Sequence, residues 1–248
     1  MKHKTILGIE IDNISKKKVL DKILKYIHHP ADFFHIVSLN PENLVITSEN
    51  PQFKKIIETS QIKINDGIGV VLAGRWLNIP IVEKVTGVDL MQDLLDMVGE
   101  ERLRAMLIGG KPNLALSLSK CYQKKYTQAV FYGLEGITNI KKIDKNEEKR
   151  LLAIVADIRP HIIFAAFGSP EQEIWFWRNR GKLAGTVCMG VGGGFDFLTG
   201  QVKRAPVFIR KIGMEWLFRL IIQPWRWKRQ LRLIKFIGKV ISQKIKPH

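Results

Sequence analysis

Residues 161–173 read HIIFAAFGSPEQE, which combines a strand-like run with a turn and the start of a helix. The unbroken apolar run from Ile162 to Phe167 is typical of a strand that is covered on both faces. The glycine, serine and proline that follow it, at positions 168–170, predict a tight turn and the start of a helix. Residues 105–108, AMLI, form a second run of the same kind. We therefore expect both runs at the centre of a parallel sheet.

Short strand-like stretches alternate with helical patterns on either side of these runs. Predicted strands cover residues 5–11, 33–38, 61–65, 104–108, 129–132, 161–167 and 186–191, and predicted helices cover residues 15–27, 42–48, 68–77, 113–126, 144–157 and 171–180. This alternation predicts an α/β fold, with a mostly parallel sheet, Rossmann-like elements and helices on both faces. We expect one body over residues 1–202, followed by a basic, helical C-terminal appendage over residues 203–248.

The appendage carries most of the chain's charge. It contains thirteen Lys/Arg and one acid, Glu215, which together give +12 of the formal net charge of +17. After Pro224, four apolar residues recur at helical spacing: Trp227, Leu231, Ile234 and Ile241. A stripe of cations runs beside them. A cationic helix with a Trp/Leu/Ile face is typical of a segment that lies on an anionic membrane.

Two other interpretations of the appendage stay open. An amphipathic helix that packs on the body, or in the interface of a homo-oligomer, would show the same periodicity. A nucleic-acid-binding protein is the alternative from another class, because basic residues mixed with aromatics also suit phosphates and bases. The oligomeric state is left open, and an appendage placed across a neighbouring protomer's site is compatible with the sequence.

The sequence favours a location at the inner face of the cell membrane without crossing it. The N-terminus lacks the apolar block of a signal peptide, and the best apolar stretch of the appendage, 212–223, is interrupted by Glu215 and Arg219. We expect a cytoplasmic protein with peripheral membrane association. Neither the two cysteines nor the six histidines have metal-ligand spacing, so no metal or cofactor is expected.

Polar residues follow two of the predicted strands, where open α/β sheets bind their ligands. Ser38 and Asn40 precede Pro41, and they are either ligand-binding groups or the cap of the next helix. Asp66 precedes Gly67 and is either the N-cap of a helix or a general base. A carboxylate at a strand end can accept a proton from a bound hydroxyl, while glycine lets the substrate approach closely.

Glycine-rich turns follow three more strands and are candidate nucleotide contacts, although ordinary tight turns would look the same. Free backbone amides after residue 167 suit an anion or a uracil ring. Three consecutive glycines after residue 191 suit a phosphate or ribose, but no helix-forming run follows them, which disfavours a nicotinamide Rossmann enzyme. The candidates are Gly109, Gly110, Gly168, Ser169, Gly192, Gly193 and Gly194.

Several ordered blocks give the chain a family resemblance that covers nearly its whole length. They are NPE at 40–42, NDGIGV at 65–70, TGVDL at 86–90, GSPEQE at 168–173, GGGFDF at 192–197, KRAP at 203–206 and EWLFRL at 215–220. In these blocks the sequence resembles the WecG/TagA/CpsF family of bacterial glycosyltransferases, glycosyltransferase family 26. The resemblance implies inverting transfer of an N-acetylhexosamine, with N-acetylmannosamine first, from a UDP-sugar to polyprenyl-diphosphate-linked N-acetylglucosamine in teichoic acid or exopolysaccharide synthesis. UDP-glucose and a UDP-N-acetylmannosamine uronate remain alternative donors.

The resemblance also implies roles for particular residues. It makes Asp66 the catalytic base, with Ser38 beside it and Asn40 orienting the acceptor or donor sugar. Gln172 is similar to the residue that the family places at the sugar or nucleotide. Three appendage cations match arginines expected to reach the diphosphate: Arg219, Arg226 and Arg229. Lys84, a substrate-binding candidate, stands where Arg is expected, and its ammonium lacks the two-pronged contact of a guanidinium with phosphate.

Overall fold

The computed structural model of the chain describes residues 5–224 and 227–245, apart from the side chains of Lys211 and residues 228–230. Its strands are β1 (Thr5–Ile6), β2 (Ile9–Glu10), β3 (Phe34–Leu39), β4 (Ile62–Asn65), β5 (Arg104–Gly109), β6 (Val130–Leu134), β7 (Ile162–Ala166) and β8 (Val187–Gly190). Six of them form one sheet in the order β4-β3-β8-β7-β5-β6, and all neighbouring pairs are parallel. The predicted α/β fold is confirmed, and both apolar runs lie at interior positions of the sheet.

The N-terminal strand prediction is wrong in its extent. Residues 5–11 alternate like one strand, but the chain turns back at Leu7 (φ 50°) and Gly8 (φ 79°), and β1 pairs with β2 in an antiparallel hairpin of its own. Ile6 and Ile9 are fully buried by this turn. The alternating apolar residues therefore belong to a hairpin that packs beside the main sheet, and not to one continuous strand.

The helices are α1 (Lys16–His28), α2 (Pro41–Thr47), α3 (Pro51–Thr59), α4 (Ile68–Trp76), α5 (Gly87–Glu100), α6 (Leu114–Lys125), α7 (Lys145–Ile158), α8 (Glu171–Arg178), α9 (Gly194–Leu198), α10 (Val207–Lys211), α11 (Glu215–Ile222) and α12 (Trp227–Ile245). Neither α3 nor α5 is assigned from the sequence. The expectation that no helix follows the three glycines is also wrong, because α9 forms a short helix there. Its last turn is closed by the Thr199 hydroxyl, which donates to the Phe195 carbonyl (2.8 Å).

Side-chain caps fix where several helices begin. Ser15, Asn50 and Thr86 each accept a hydrogen bond from the backbone N–H three residues later. Asp144 accepts from two amides at the start of α7. Such caps satisfy backbone N–H donors that the first helical turn leaves unpaired. The position of the capping residue therefore determines where each helix begins.

The core lies in two layers, one on each face of the sheet. On one face, Ile36, Leu107 and Phe164 pack against α1, α5, α6 and α9. On the other, alternate residues of the same strands, such as Val37 and Met106, pack against α2, α3, α4, α7, α8 and α12. Because both faces are covered, the accessible part of the sheet is its edge, where the strand ends meet the loops.

The last helix, α12, joins the body along one face and is exposed along another. Phe236 (2% exposed) and Val240 (6%) lie in the core beside α2 and α4. Arg232 and Lys235 pair with Glu42 and Glu49 of the body. The opposite stripe stays apolar and exposed: Trp227, Leu231, Ile234, Ile237, Ile241 and Ile245. Within residues 5–224 and 227–245, no helix is long and apolar enough to cross a membrane.

Candidate functional site

The predicted site residues of the body gather at the carboxyl edge of the sheet. The parallel register sets Leu39 opposite Asn65, Gly109 opposite Ala166 and Ala165 opposite Gly190. The loops that follow these strands therefore open on the same side of the molecule. The structure brings together there the polar ends of β3 and β4 and the glycine turns after β5, β7 and β8.

Asp66 directly follows β4, and its backbone N–H donates to the Leu39 carbonyl (2.8 Å). The next residue, Gly67, occupies the N-cap position of α4, where no side-chain cap hydrogen bond is formed. The helix-cap alternative for Asp66 is therefore wrong. Gly67 has a φ of 96°, and a Cβ there would meet no atom within 4 Å, so the backbone beside the carboxylate faces open space. The general-base role stays a prediction.

The electrostatic surroundings of Asp66 suit a group that gains and loses a proton. Burial raises the pKa of its carboxyl to about 6, while the charge of Arg219 and a hydrogen bond from the Gly87 N–H pull that pKa down. The charges of Glu215 and Asp89 raise it slightly. A carboxyl group with a pKa near 6 is largely ionised at neutral pH and is a stronger base than an ordinary aspartate.

Ser38 converges on the same point. A Cβ built on Gly87 would lie 3.1 Å from the Ser38 Oγ and 3.5 Å from the Asp66 Oδ2, so all three residues meet at the start of α5. The predicted position of Ser38 beside Asp66 follows from the pairing of β3 with β4. Any side chain at position 87 would crowd the space between the hydroxyl and the carboxylate.

Asn40 does cap a helix. Its Oδ1 accepts from the Asn43 N–H at the start of α2 (2.8 Å), and the Asn43 amide in turn donates to the Ser38 carbonyl (2.8 Å). The cap alternative is confirmed for Asn40, whose oxygen is thereby committed to the backbone. Its contact with a sugar stays a prediction.

The C-terminal segment, residues 203–245, brings arginines to the carboxyl edge. Arg219 donates to Glu215 (2.8 Å), and its guanidinium lies 4.3 Å from the centre of the Phe197 ring. The turn at Gly213, between α10 and α11, presses on Ile68 at the start of α4: a Cβ at Gly213 would lie 2.6 Å from the Ile68 Cγ1. This packing holds α11 beside the start of α4, and the charge of Arg219 acts on Asp66, as expected from the sequence. Arg226 and the side chain of Arg229 lie outside the described residues.

Arg204 is a site residue that the sequence analysis left without a role. Its guanidinium donates to Asp89 (2.6 Å) and to the Thr86 hydroxyl (3.3 Å), and it lies 3.8 Å from Glu215. It thus joins the start of α5 to α11. The KRAP block, noted only for its resemblance, contains Arg204, but the pairing with Asp89 spans a sequence separation of 115 positions and leaves no local signal.

Lys84 also holds the C-terminal segment. Its ammonium donates to the backbone carbonyl of Arg210 (3.2 Å), which ties the loop before α5 to α10. A contact with a phosphate stays a prediction for this residue.

Gln172 is buried (3% exposed) behind the turns that end β7 and β8. Its Oε1 accepts from the Gly168 and Gly192 N–H groups (3.0 and 3.1 Å), and its Nε2 donates to Glu173 (2.8 Å) and Ser169 (3.3 Å). These contacts use both donors and both acceptor positions of the amide. A ligand would have to displace one of them, so contact between Gln172 and a substrate stays a prediction.

The glycine turns differ in what surrounds them. A Cβ at Gly168 or Gly192 would meet no atom within 4 Å. At Gly109 and Gly110, by contrast, it would lie 2.8 Å from Phe167 and 3.1 Å from Phe195. Packing and a positive φ therefore explain the glycines after β5 without a ligand, whereas Gly168 and Gly192 face open space; a Cβ at Gly194 would lie 3.2 Å from the Met91 Sδ. Gly193 and Gly194, at the start of α9, continue the latter turn.

A parallel α/β sheet with a carboxylate and guanidinium groups at its carboxyl edge has the charge pattern that suits a group-transfer enzyme. Comparison with known families makes the class specific. The model of the glycosyl transferase WecG/TagA/CpsF family matches residues 4–248. The chain belongs to this family and is a glycosyltransferase.

Three relatives share the name N-acetylglucosaminyldiphosphoundecaprenol N-acetyl-beta-D-mannosaminyltransferase. The chain is 29% identical to the protein from Bacillus spizizenii over 216 residues, which cover 86% of this chain and 82% of the relative. It is 28% identical to that of Bacillus subtilis over 98% of this chain and 93% of the relative. The Staphylococcus aureus protein is 27% identical over 92% and 87%, respectively.

Proposed function

We propose that the chain transfers an N-acetylhexosamine, with N-acetylmannosamine as the first candidate, from a UDP-sugar to polyprenyl-diphosphate-linked N-acetylglucosamine with inversion. The printed name of the relatives supports this acceptor and this sugar. The observation that carries the proposal is the partly buried carboxylate of Asp66, which adjoins open space at Gly67 and feels the charge of Arg219.

The proposed step is a single displacement at the anomeric carbon. Asp66 takes the proton of the acceptor hydroxyl, whose oxygen forms the new glycosidic bond. The bond to the β-phosphate oxygen breaks, and UDP leaves with its electron pair. Attack from the face opposite the leaving group inverts the anomeric centre. A carboxyl pKa of about 6 keeps Asp66 ionised at neutral pH while it retains useful basicity.

The departing diphosphate needs positive charge on the other side of the reacting carbon. Arg219 supplies it in the proposal, because the charge of its guanidinium reaches Asp66, as does that of Arg204. Arg204 holds Glu215, the partner of Arg219, and so keeps that cation in place. Since guanidinium groups bind diphosphates without a metal ion, we expect transfer to continue in the presence of EDTA.

The C-terminal segment also supports a membrane-surface location. Exposed apolar side chains crowd its helices and the neighbouring α4: Leu72, Trp76, Val207, Phe208, Ile212, Trp216, Ile221, Leu231 and Ile234. Such a surface, with lysines and arginines interspersed, favours the headgroup layer of an anionic membrane, where the lipid-linked acceptor resides. We therefore propose peripheral association through this segment.

The function is tested with purified protein and a short-chain prenyl-diphosphate-linked N-acetylglucosamine. A panel of UDP-N-acetylmannosamine, UDP-glucose and a UDP-N-acetylmannosamine uronate is assayed for UDP release and for the disaccharide product. The proposal expects turnover with the first donor and a product of inverted configuration by NMR. Turnover with only one of the other donors would show that a different sugar is transferred. Absence of turnover with all three donors would refute the proposal.

Membrane association is tested with point variants, because removing residues after 202 would also expose the core that Phe236 and Val240 cover. Phe208→Ser with Ile212→Ser removes two side chains that are 65% and 66% exposed. We expect weaker sedimentation with phosphatidylglycerol vesicles. Val130→Ser, an exposed apolar site on edge strand β6, is the matched control. Equal sedimentation of wild type and the double variant would rule out this surface.

A further inference from the structure

Glu173 is a buried carboxyl group for which the proposed chemistry has no use. The residue is 1% exposed, and its Oε1 accepts from the Ser169 hydroxyl (3.0 Å) and the Gln172 amide (2.8 Å). Within the described residues, its Oε2 has no hydrogen-bond partner. Burial raises the pKa of this carboxyl to about 7. Burying such a group costs stability, so a compensating role is expected.

Gln172 connects Glu173 to the glycine turns. Its single Oε1 accepts from two backbone amides, Gly168 after β7 and Gly192 after β8, at 3.0 and 3.1 Å. One oxygen atom therefore sets the separation of two turns that are 24 residues apart in the chain. Both turns have positive φ values, 83° and 49°, and both face open space.

Glu173 decides which way the amide of Gln172 points. The amide has an oxygen on one side and an NH2 group on the other, and only the oxygen can accept from the two glycine N–H groups. Glu173 Oε1 and Ser169 Oγ lie on the NH2 side. In the reversed orientation, the amide oxygen would face the carboxylate and the NH2 group would face two donors. The carboxyl group thus keeps the bridging oxygen in place.

Gly190 provides the space in which this arrangement sits. It is the last residue of β8, and a Cβ built there would lie 2.6 Å from the Cδ of Gln172. Its φ is not positive, so the backbone accepts alanine and the glycine is explained by the Gln172 side chain alone.

We propose that Glu173 is a positioning residue of the donor pocket: by orienting Gln172 it fixes the Gly168 and Gly192 turns at the spacing that the nucleotide diphosphate of the donor requires. The inference rests on the proposed function and places the UDP of the donor against these two turns, which face open space and are candidate nucleotide contacts in the sequence. It adds a residue that touches no substrate and acts only through Gln172.

The direct test is calorimetric titration of the full chain with UDP, without acceptor, for wild type and three variants. Glu173→Ala removes the acceptor that holds the Gln172 NH2 group and leaves the side chain anchored at one end only, and Gln172→Glu sets two carboxyl groups against each other. We expect each to weaken UDP binding about tenfold or more, the effect of one lost or opposed buried hydrogen bond. Combining Gln172→Glu with Glu173→Gln should restore binding to within about threefold, because the pair then exchanges donor and acceptor.

Two further variants separate positioning from general stability. Gly190→Ala changes no polar group but displaces Gln172, and it should weaken UDP binding as Glu173→Ala does. Gln123→Ala is the matched control: Gln123 also joins a helix to a strand, accepting from Phe131 N–H and donating to the Ala129 carbonyl, at the amino end of β6. It should lower the Tm and leave the Kd for UDP unchanged.

The outcomes separate the two proposals. If wild type does not bind UDP, the proposed function fails and this inference fails with it. If wild type binds UDP and folded Glu173→Ala and Gly190→Ala bind it equally well, only the inference fails. If the single variants do not fold, the combined Gln172→Glu, Glu173→Gln variant decides: recovery of fold and UDP binding supports the bridge, and a folded variant without UDP binding overturns it.

Discussion

The carboxyl edge of the sheet and the C-terminal segment reach the same site but are held in different ways. At the edge, buried backbone contacts fix each group; Gln172, for example, is 3% exposed and fully hydrogen-bonded. In the segment, partly exposed ion pairs hold the arginines, with the side chains of Arg204 and Arg219 19% and 29% exposed. The more buried half thus carries the proposed base, and we expect that the cations of the more exposed half can be altered without unfolding the body.

Within the segment, α12 shows the same contrast on a smaller scale. Its inner side buries Phe236 and Val240 in the core, and Gln243 bonds the backbone of Thr5 and Leu7 in the N-terminal hairpin. Its outer side leaves Ile234 67% exposed. The packed-helix interpretation is therefore confirmed for the inner face, and the membrane-surface interpretation stays a prediction for the outer face.

The largest expected effect is at the carboxyl edge of the sheet. Asp66→Asn keeps the shape of the side chain but removes the base, so we expect kcat to fall by about 10²–10⁴-fold. UDP binding, measured by calorimetry, should change little, because the variant leaves the glycine turns intact. Near wild-type turnover would show that Asp66 has no catalytic role.

The two faces of α12 predict opposite results for stability. Phe236→Ala should lower the free energy of unfolding by about 3–5 kcal/mol, because it opens a cavity in the core. Ile234→Ala, two residues earlier on the exposed side, should stay within about 0.5 kcal/mol of wild type. Urea unfolding of both variants checks this. Equal losses would mean that the exposed face is also buried in the free protein.

The ion pairs of the segment predict a smaller loss of activity. Arg204→Met removes the contacts with Asp89, Thr86 and Glu215, so Arg219 loses its support, and we expect kcat/KM to fall about tenfold, or about 1.4 kcal/mol. Arg178→Met is the control, since Arg178 forms a guanidinium–carboxylate pair with Glu148 (3.0 Å) at the C-terminal end of α8, away from the carboxyl edge of the sheet. Comparable losses in both variants would argue against a role specific to Arg204.

The sequence predicts the parts of the fold that depend on local signals. Apolar runs locate the strands of the main sheet, and capping residues mark where helices begin. The parallel order of the strands then brings Ser38 and Asp66 to one edge. The hairpin at residues 5–10 escapes prediction, because a turn at Leu7 and Gly8 preserves the alternation of a single strand. Periodicity identifies the apolar stripe of α12 that the structure shows to be exposed. It cannot tell which side of α12 packs on the body, because this helix has apolar residues on two sides.

The candidate site also contains residues that the sequence reveals and contacts that it does not. Asp66 and the glycine turns stand next to strands, so sequence position reveals them. The pairing of Arg204 with Asp89 and the double bridge made by Gln172 join segments that are distant in the chain, and only the folded structure shows them. Long-range side-chain contacts leave no period or spacing in the sequence.

The central claim, that one active site is built from the carboxyl edge of the sheet and the C-terminal segment, is tested most directly by the pH dependence of kcat/KM in wild type and Arg219→Met. In wild type, activity should fall below an apparent pKa near 6, as Asp66 becomes protonated. The Arg219 charge lowers the pKa of Asp66, so its removal should raise that pKa and move the acid limb to higher pH by about one unit. The variant would then lose more activity at pH 6.5 than at pH 8.5. An acid limb at the same pH in both proteins would contradict the claim.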